Sequence, residues 1–283
     1  MKKVLAIGPI YDDFWSNSLN DGIDVTELKS STEIIISIPY NDKLYYQGNE
    51  YHFSDYDVVV IFSVVKTSKY IYELLQGHCK VIGNPYTREM MRDKVAGAIV
   101  MSRAGIPVVE SLYSVNCIES QLCRQLSKDI VIKPKDGSFG FGVELYTNDS
   151  IGDVCGEIVQ PYIECNSHDE RWVIVDGKCV CAIDRRASDP NEFRSNLGIG
   201  GIVTPIPITE EMQEFGKKVY DCFPGCLWTG IDVMRSVDGK VYVGEVNHYP
   251  HHKVDSMEYY EVVWGHNFCV DLYDYLVRLI NEP

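Results

Sequence analysis

The chain has 283 residues, with 26 Lys and Arg against 41 Asp and Glu, a formal charge of −15, and 45% hydrophobic against 24% charged residues. That balance excludes a disordered chain and argues against nucleic acid as a partner, because phosphate backbones demand an excess of Lys and Arg that an isoelectric point near 4.8 does not supply. At roughly 150 residues per domain the length fits two domains or one large α/β unit, with room for a small basic pocket inside an acidic whole.

The first residues, Met1-Lys2-Lys3 and then Val4-Leu5-Ala6-Ile7, have the lysines of a signal peptide, but Gly8-Pro9 ends the apolar run and acids follow. They read as a first β-strand. Strand-like runs over 3–7, 58–62 and 80–82 alternate with polar stretches, which predicts a βα region with a parallel sheet over residues 1–85. No G-x-G-x-x-G follows the first strand, so a dinucleotide site is not indicated. Residues 87–103 read as one helix capped by Thr87, with Met90, Met91, Val95 and Ile99 at helical spacing and Gly105-Ile106-Pro107 as its stop. Strands and hairpins follow to about residue 247, and 268–280 read as a closing helix.

No run reaches the ~18 apolar residues of a membrane helix, so a soluble, cytoplasmic chain without a membrane partner is expected. Ten cysteines without an export signal predict reduced thiols acting as small buried hydrophobes. Cys179 with Cys181, and Cys222 with Cys226, lack the paired C-x-x-C spacing of a zinc site.

Three segments carry candidate chemistry. In the first, a strand ends in Lys133-Pro134 and is followed by Lys135-Asp136-Gly137-Ser138-Phe139-Gly140-Phe141-Gly142. Glycines let backbone N–H groups approach phosphate oxygens, and a strand-end lysine supplies a point charge. No Gly-Lys-Ser/Thr opens a helix, so this is not a Walker loop, and a β-hairpin whose glycines only make the turn is the other reading.

In the second, Asp238-Gly239 between alternating apolar runs signals a two-residue hairpin turn that pairs Val237 with Lys240 and Asp232 with Glu245. Asn247 then follows Glu245 on the same face. Two facing carboxylates repel by roughly 3 kcal/mol at an effective dielectric near 20, so a cation is called for. Three oxygen donors without histidine or thiol suit Mg²⁺, and a solvated acidic hairpin is the alternative.

In the third, a turn at Asp176-Gly177 places Arg171 opposite Ala182 and diagonal to Asp184, where an ion pair would orient the arginine. Arg194, Ser195 and Asn196 then bring a charged fork and two polar groups into a glycine-rich stretch, which suits a phosphate or acyl-phosphate. Surface salt bridges are the competing reading of any one of these arginines.

Taken in order, Lys94 before Gly105-Ile-Pro, Val-Ile-Lys133-Pro with its glycine loop, Gln160-Pro-Tyr162-Ile, Asp169-x-Arg171, Ile183-Asp-Arg185-Arg-Ala, Phe193-Arg-Ser-Asn-Leu, and Asp232 with Glu245-Val-Asn247 resemble the ATP-grasp ligases, most nearly the RimK-type carboxylate–amine ligases. The resemblance covers about residues 87–250. It implies an α/β chain of α+β subdomains: an N-terminal domain over 1–85, a central subdomain over 86–163 and a C-terminal subdomain over 164–283.

It further implies ATP between the two subdomains, with Lys94 and Lys133 on the phosphates under a loop that includes Gly137, Ser138 and Gly140. Gln160, Pro161, Tyr162 and Ile163 would hold the adenine and Asp169 the ribose. Asp232, Glu245 and Asn247 would bind Mg²⁺, with Mn²⁺ as a substitute, and Arg171, Arg194, Ser195 and Asn196 would meet the transferring phosphate. The implied reaction is amide formation through an acyl-phosphate between a small-molecule carboxylate, glutamate-like or a small peptide, and an amine.

Rival expectations are a peptide tail or carrier-protein thiol as acceptor, a phosphotransferase, and a non-catalytic nucleotide-binding regulator. A homo-oligomer is a family-level expectation. After Asn247 the chain reads His248-Tyr249-Pro250-His251-His252 where the family usually has small residues, which makes these histidines candidates for substrate contact or proton transfer beside the reading as an ordinary loop.

Overall fold

The computed structural model describes residues 1–10, 13–37, 42–62, 66–137, 140–189, 191–196, 199–248 and 268–283. The chain divides into two units, one of Met1–Glu89, Phe223–Trp228 and His251–Pro283, the other of Met90–Cys222 and Thr229–Pro250.

The first unit begins with β1 (Lys2–Ile7) and β2 (Ile23–Leu28), a short antiparallel meander of β3 (Ile35–Ile36), β4 (Lys43–Tyr46) and β5 (Asn49–His52), then β6 (Val58–Ile61), helix α1 (Lys66–Leu75) and β7 (Lys80–Ile82). Strands pair in parallel in the order β2-β1-β6-β7. The run Val58–Ile61 is buried at every residue, as a central parallel strand covered on both faces must be. Leu5, Ile7, Val59, Ile61, Ile71 and Leu75 meet in its core.

The expected helix over 87–103 is two helices, α2 (Pro85–Arg92) and α3 (Lys94–Arg103). The break falls at Asp93, whose carboxylate accepts from the backbone N–H groups of Val95 and Ala96 and so starts a second helix. Thr87 is not the cap; Asn84 Oδ1 accepts from the Tyr86 and Thr87 N–H groups, and the Thr87 hydroxyl donates to the Pro224 carbonyl.

The second unit continues with β8 (Leu112–Tyr113), β9 (Cys117–Ile118), α4 (Ser120–Leu126), β10 (Asp129–Pro134), β11 (Glu144–Thr147), β12 (Val154–Cys155) and β13 (Glu157–Pro161), in which β11-β10-β13-β8 form one antiparallel sheet. Period-two alternation sends Ile130, Ile132 and Val159 into a core with Cys123 of α4, which leaves Val131 and Lys133 on the opposite face. A second antiparallel sheet, β16-β15-β14-β17-β18, is built from β14 (His168–Val175), β15 (Lys178–Arg186), β16 (Ile202–Pro205), β17 (Trp228–Arg235) and β18 (Val241–Asn247). Helix α5 (Glu210–Asp221), unexpected from the sequence, packs on one face of it, with Phe215 edge-on to Trp172 at 5.9 Å. A closing helix, α6 (Phe268–Asn281), buries Phe268, Leu272, Leu276 and Ile280 in the first unit. Among the described residues no helix is long and apolar enough to cross a membrane.

The hairpin registers differ instructively from expectation. Asp232 does pair with Glu245, but the turn holds three residues, closed by Ser236 and Lys240, and an irregularity between Asp232 and Val233 restores the offset. In the β14–β15 hairpin a bulge at Val173/Ile174 is not cancelled, so Arg171 pairs with Ile183 rather than Ala182. Asp184 instead faces Glu170 across the strands and bonds His168 and Arg186.

Eight cysteines are free, six of them buried, but Cys117 and Cys155 form a disulfide across β9 and β12. The expectation of reduced thiols throughout is therefore corrected: strand pairing sets two residues 38 apart in sequence side by side. Burial pushes the Cys179 and Cys226 thiols up to about 12, which makes them poor nucleophiles. Replacing both Cys117 and Cys155 by Ser should lower the unfolding free energy of the oxidised protein by about 2–4 kcal/mol in denaturant melts and leave that of the reduced protein nearly unchanged. Equal stability of oxidised wild type and variant would contradict the bridge.

Candidate active site

The face of the five-stranded sheet turned away from α5 collects the charged residues singled out from the sequence. Alternation along β14 puts Asp169 and Arg171 on that face and Glu170 and Trp172 on the other, where Glu170 bonds the Trp172 indole and Arg235. Arg171 grips Asp232 with two hydrogen bonds, Nε to Oδ1 at 2.7 Å and Nη2 to Oδ2 at 2.8 Å. Arg185, 3% exposed at its side chain, reaches Asp232 Oδ2 at 3.1 Å and holds Asp169 through a second fork. The Ser195 hydroxyl donates to Asp169 Oδ1 at 2.7 Å.

Burial alone would raise the Asp232 carboxyl, but Arg171 and Arg185 outweigh it and hold the group far below the usual carboxylate range. Glu245 behaves oppositely. Its side chain is 31% exposed, yet desolvation raises it, Asp232 adds to the rise, and Lys94 and Lys133 oppose it. Lys94 opens α3 and points at Glu245 Oε2 from 3.6 Å while donating to the Gly137 carbonyl. Lys133 is lowered to about 8 by desolvation, with Glu245 working against that and Lys94 with it. The cation demanded by two facing carboxylates is thus supplied first by the protein's own arginines and lysines.

A cavity of about 460 Å³ opens beside these groups, lined by Lys94, Ser111, Lys133, Gln160, Gly244 and Glu245 among others. Gln160 donates to the Ser111 hydroxyl at 2.7 Å. Past Pro161 the chain leaves β13, the Tyr162 N–H donates to the Asp129 carbonyl, and the Tyr162 ring meets Phe193 edge-on at 6.1 Å; Ile163 follows, half-buried. The glycine loop lies over Asn196: Gly140 has φ +77°, and a Cβ there would stand 2.6 Å from Asn196 Oδ1. Arg194 forks onto Glu192 and donates to the carbonyls of Gly140 and Val143. Ser138, His251 and His252 lie outside the described residues, and His248 is half-buried just beyond β18.

The oxygen set fits a hard divalent cation. The Asn247 amide donates to Glu245 Oε1 at 3.0 Å and accepts from Arg171 Nη2 at 3.1 Å, so Asp232, Glu245 and Asn247 bring carboxylate and amide oxygens, the donor type such an ion takes, to one place on the sheet. Asp232 Oδ2 is already shared by two arginines, which leaves Oδ1 its freer oxygen. Sequence reasoning did not single out Asp93, which aims Lys135 at 2.7 Å, Glu192, or Arg185 as a link between two carboxylates. The signal for Arg185 was its place in the Ile183-Asp-Arg185-Arg-Ala motif, which gave it no partner.

A family model described as the RimK-like ATP-grasp domain matches residues 91–262, more than half of the chain. The chain belongs to the RimK-like ATP-grasp family. A probable alpha-L-glutamate ligase of Aeromonas salmonicida is 32% identical over 171 residues, 56% of this chain and 56% of that protein, so the chain spans little more than half the length of such a relative. Among solved structures, a RiPP-associated ATP-grasp ligase of Chryseobacterium gregarium in complex with ADP and a leader and core peptide has a TM-score of 0.71 at 13% identity, covering 100% of this chain and 98% of that one. The ATP-grasp ligase PsnB complexed with a minimal precursor, Mg and ADP has a TM-score of 0.68 at 14% identity, covering 99% and 98%. These likenesses show the ATP-grasp fold.

In chelator-treated protein, Asp232→Asn should lower the unfolding free energy by about 3–5 kcal/mol, because it leaves Arg171 and Arg185 facing each other without their carboxylate. Glu245→Gln should cost less than about 1 kcal/mol or stabilise, because the native fold already disfavours that charge. A depressed native carboxyl contributes stability above its free value near ~4 and loses it as pH falls through the native one, so the wild-type advantage over Asp232→Asn should shrink below about pH 4. Urea melts at several pH values check both; equal losses in the two variants would contradict this account.

Proposed function

We propose that the chain is an ADP-forming ligase that joins a carboxylate to an amine using ATP and Mg²⁺. The observation that carries this reading is the meeting of Lys94, Lys133, Asp232, Glu245 and Asn247 beside a glycine loop and one cavity, inside the region matched by the RimK-like domain. In this reading Lys94 and Lys133 hold the ATP phosphates, the loop with Gly137, Ser138 and Gly140 covers them, Gln160 to Ile163 border the adenine, and Asp169 lies at the ribose. Asp232, Glu245 and Asn247 would hold Mg²⁺, which when bound neutralises phosphate charge. Arg171, Arg194, Ser195 and Asn196 flank the phosphate being moved. In this reading residues 1–85, 86–163 and 164–283 are the three working parts, the last of them returning α6 to the first unit.

A carboxylate is a poor electrophile. Its oxygen attacks the γ-phosphorus, ADP leaves, and the product is an acyl-phosphate; the amine nitrogen then attacks the acyl carbon, expels inorganic phosphate and gives up a proton to solvent or a nearby base. Fixed cations around the site act on the charge that spreads over the phosphoryl oxygens, and a covering loop protects the acyl-phosphate from water. The name of the Aeromonas salmonicida relative supports an amino acid of the glutamate kind as one substrate. A second reading, a peptide acceptor, is supported by the Chryseobacterium gregarium ligase in complex with a leader and core peptide, whose fold matches the whole chain, including the first 90 residues that the family domain does not cover.

Incubation with Mg-ATP, hydroxylamine and a panel of amino acids, dicarboxylates and short peptides should release ADP and give a carboxylate-dependent hydroxamate visible by mass spectrometry. Lys133→Ala should cut that rate by roughly 100-fold or more. ADP release without hydroxamate would point to a phosphotransferase, and full activity of Lys133→Ala would remove the phosphate assignment.

A further inference from the structure

Arg194 is more heavily engaged than a residue offered to a phosphate. Of the five N–H groups of its guanidinium, Nε–H goes to Glu192 Oε1 at 2.9 Å and one Nη2–H to Glu192 Oε2 at 2.8 Å. Nη1 donates to the Gly140 carbonyl at 3.0 Å and the Val143 carbonyl at 3.2 Å. Four donors are thereby committed to protein, so the fork that would recognise a phosphate with two parallel bonds is filled by a carboxylate.

Glu192 does more than neutralise. Its Oε1 also accepts from the Arg194 backbone N–H at 2.9 Å, so the two residues form a closed ring that leaves the guanidinium one direction, toward the loop. The carboxyl is pulled down to about 2 by its hydrogen bonds to Arg194, against the effect of burial, and stays charged under ordinary conditions. The loop's returning arm is gripped where it turns, since the Val143 N–H also donates to the Gly140 carbonyl at 3.4 Å. Gly140 lies directly on Asn196, and the next residue back, Ser195, is tied to Asp169. At the loop's outgoing arm Lys94 holds the Gly137 carbonyl.

We propose that Glu192 is a positioning residue: by filling one side of the Arg194 guanidinium it aims the other side at the carbonyls of Gly140 and Val143 and latches the returning arm of the glycine loop onto Asn196. The latch deepens the ligase reading and rests on it in one respect, that this loop covers the ATP phosphates. A carboxylate fork and two carbonyls need a planar guanidinium, so lysine cannot replace Arg194 here.

Hydrogen exchange on the whole chain without nucleotide reads the latch directly. In Glu192→Gln, where the amide nitrogen faces a guanidinium N–H and breaks the fork, and in Arg194→Lys, backbone amides of residues 140–147 should exchange about tenfold faster or more, with 168–186 unchanged. Unaltered exchange in 140–147 in both variants overturns the proposal, as does an equal acceleration in 168–186, which would mean general loosening. With Mg-ATP and the carboxylate identified by the hydroxamate assay, both variants should release more ADP per amide formed, because an unlatched loop admits water to the acyl-phosphate. Coupling equal to wild type overturns the latch's role in covering the phosphates. Absence of ADP from the wild type itself would instead count against the ligase reading and leave the exchange result to judge the latch.

Discussion

The position of Asp232 between Arg171 and Arg185 constrains every other charge on this face of the sheet. A carboxylate in that place is stable only because two guanidinia compensate its burial, and each of those guanidinia has its remaining donors directed elsewhere, Arg185 to Asp169 and Arg171 toward Asn247. Carboxylates and cations therefore alternate across β15, β14, β17 and β18. Arg171, Arg185, Lys94 and Lys133 against Asp169, Asp232 and Glu245 make four cations to three carboxylates, a local positive surplus inside a chain of net charge −15. That surplus is what a phosphate requires, and acidity of the rest of the molecule does not cancel it at short range, because partly buried charges are little screened while distant exposed ones are.

The glycine loop is held by the same economy of donors. Lys94 takes the carbonyl at one arm and Arg194 two carbonyls at the other, so groups suited to phosphate also bind main-chain oxygens. Carbonyl and phosphate oxygens are both acceptors, and a cation that can hold either can couple the loop's position to whatever lies beneath it. Glu192 matters because it decides which way Arg194 faces. Two neighbouring carboxylates accordingly have opposite characters: Asp232 is held by two arginines, with Oδ1 its freer oxygen, whereas Glu245 lines the cavity and has no bidentate partner among the described residues.

Much of this was legible from residue order. Three of the four parallel strands of the first unit, β1, β6 and β7, announce themselves as apolar runs, whereas β2, with Asp24 and Glu27 exposed in it, does not; the Asp232–Glu245 pairing follows from a turn signal and period two. That pairing was reached through two departures that cancel, a three-residue turn and an irregularity at Asp232. In the neighbouring hairpin the single bulge at Val173 has nothing to cancel it, and Arg171 moves from the reach of Asp184 to Asp232. A bulge depends on twist and packing against adjacent strands, which no local pattern records. Helix α5 carries its own start signal, with Thr209 as cap and Glu210 and Glu211 in its first turn, but that signal is brief and lies between longer strand-like runs. Asp93 reads as one polar residue in a helical run, yet its carboxylate caps and so starts the second of two helices.

The sequence by itself determined the family, the order of the chemical segments and the type of donor at each candidate position, because these depend on residue identity and short-range spacing. Only the tertiary structure decided which donor faces which acceptor: Arg185 on both Asp169 and Asp232, Arg194 on Glu192 and the loop, Cys117 on Cys155. Those partners lie on different strands, and their meeting is set by sheet register and by the entropy-limited closure of the chain between them, not by anything written beside either residue.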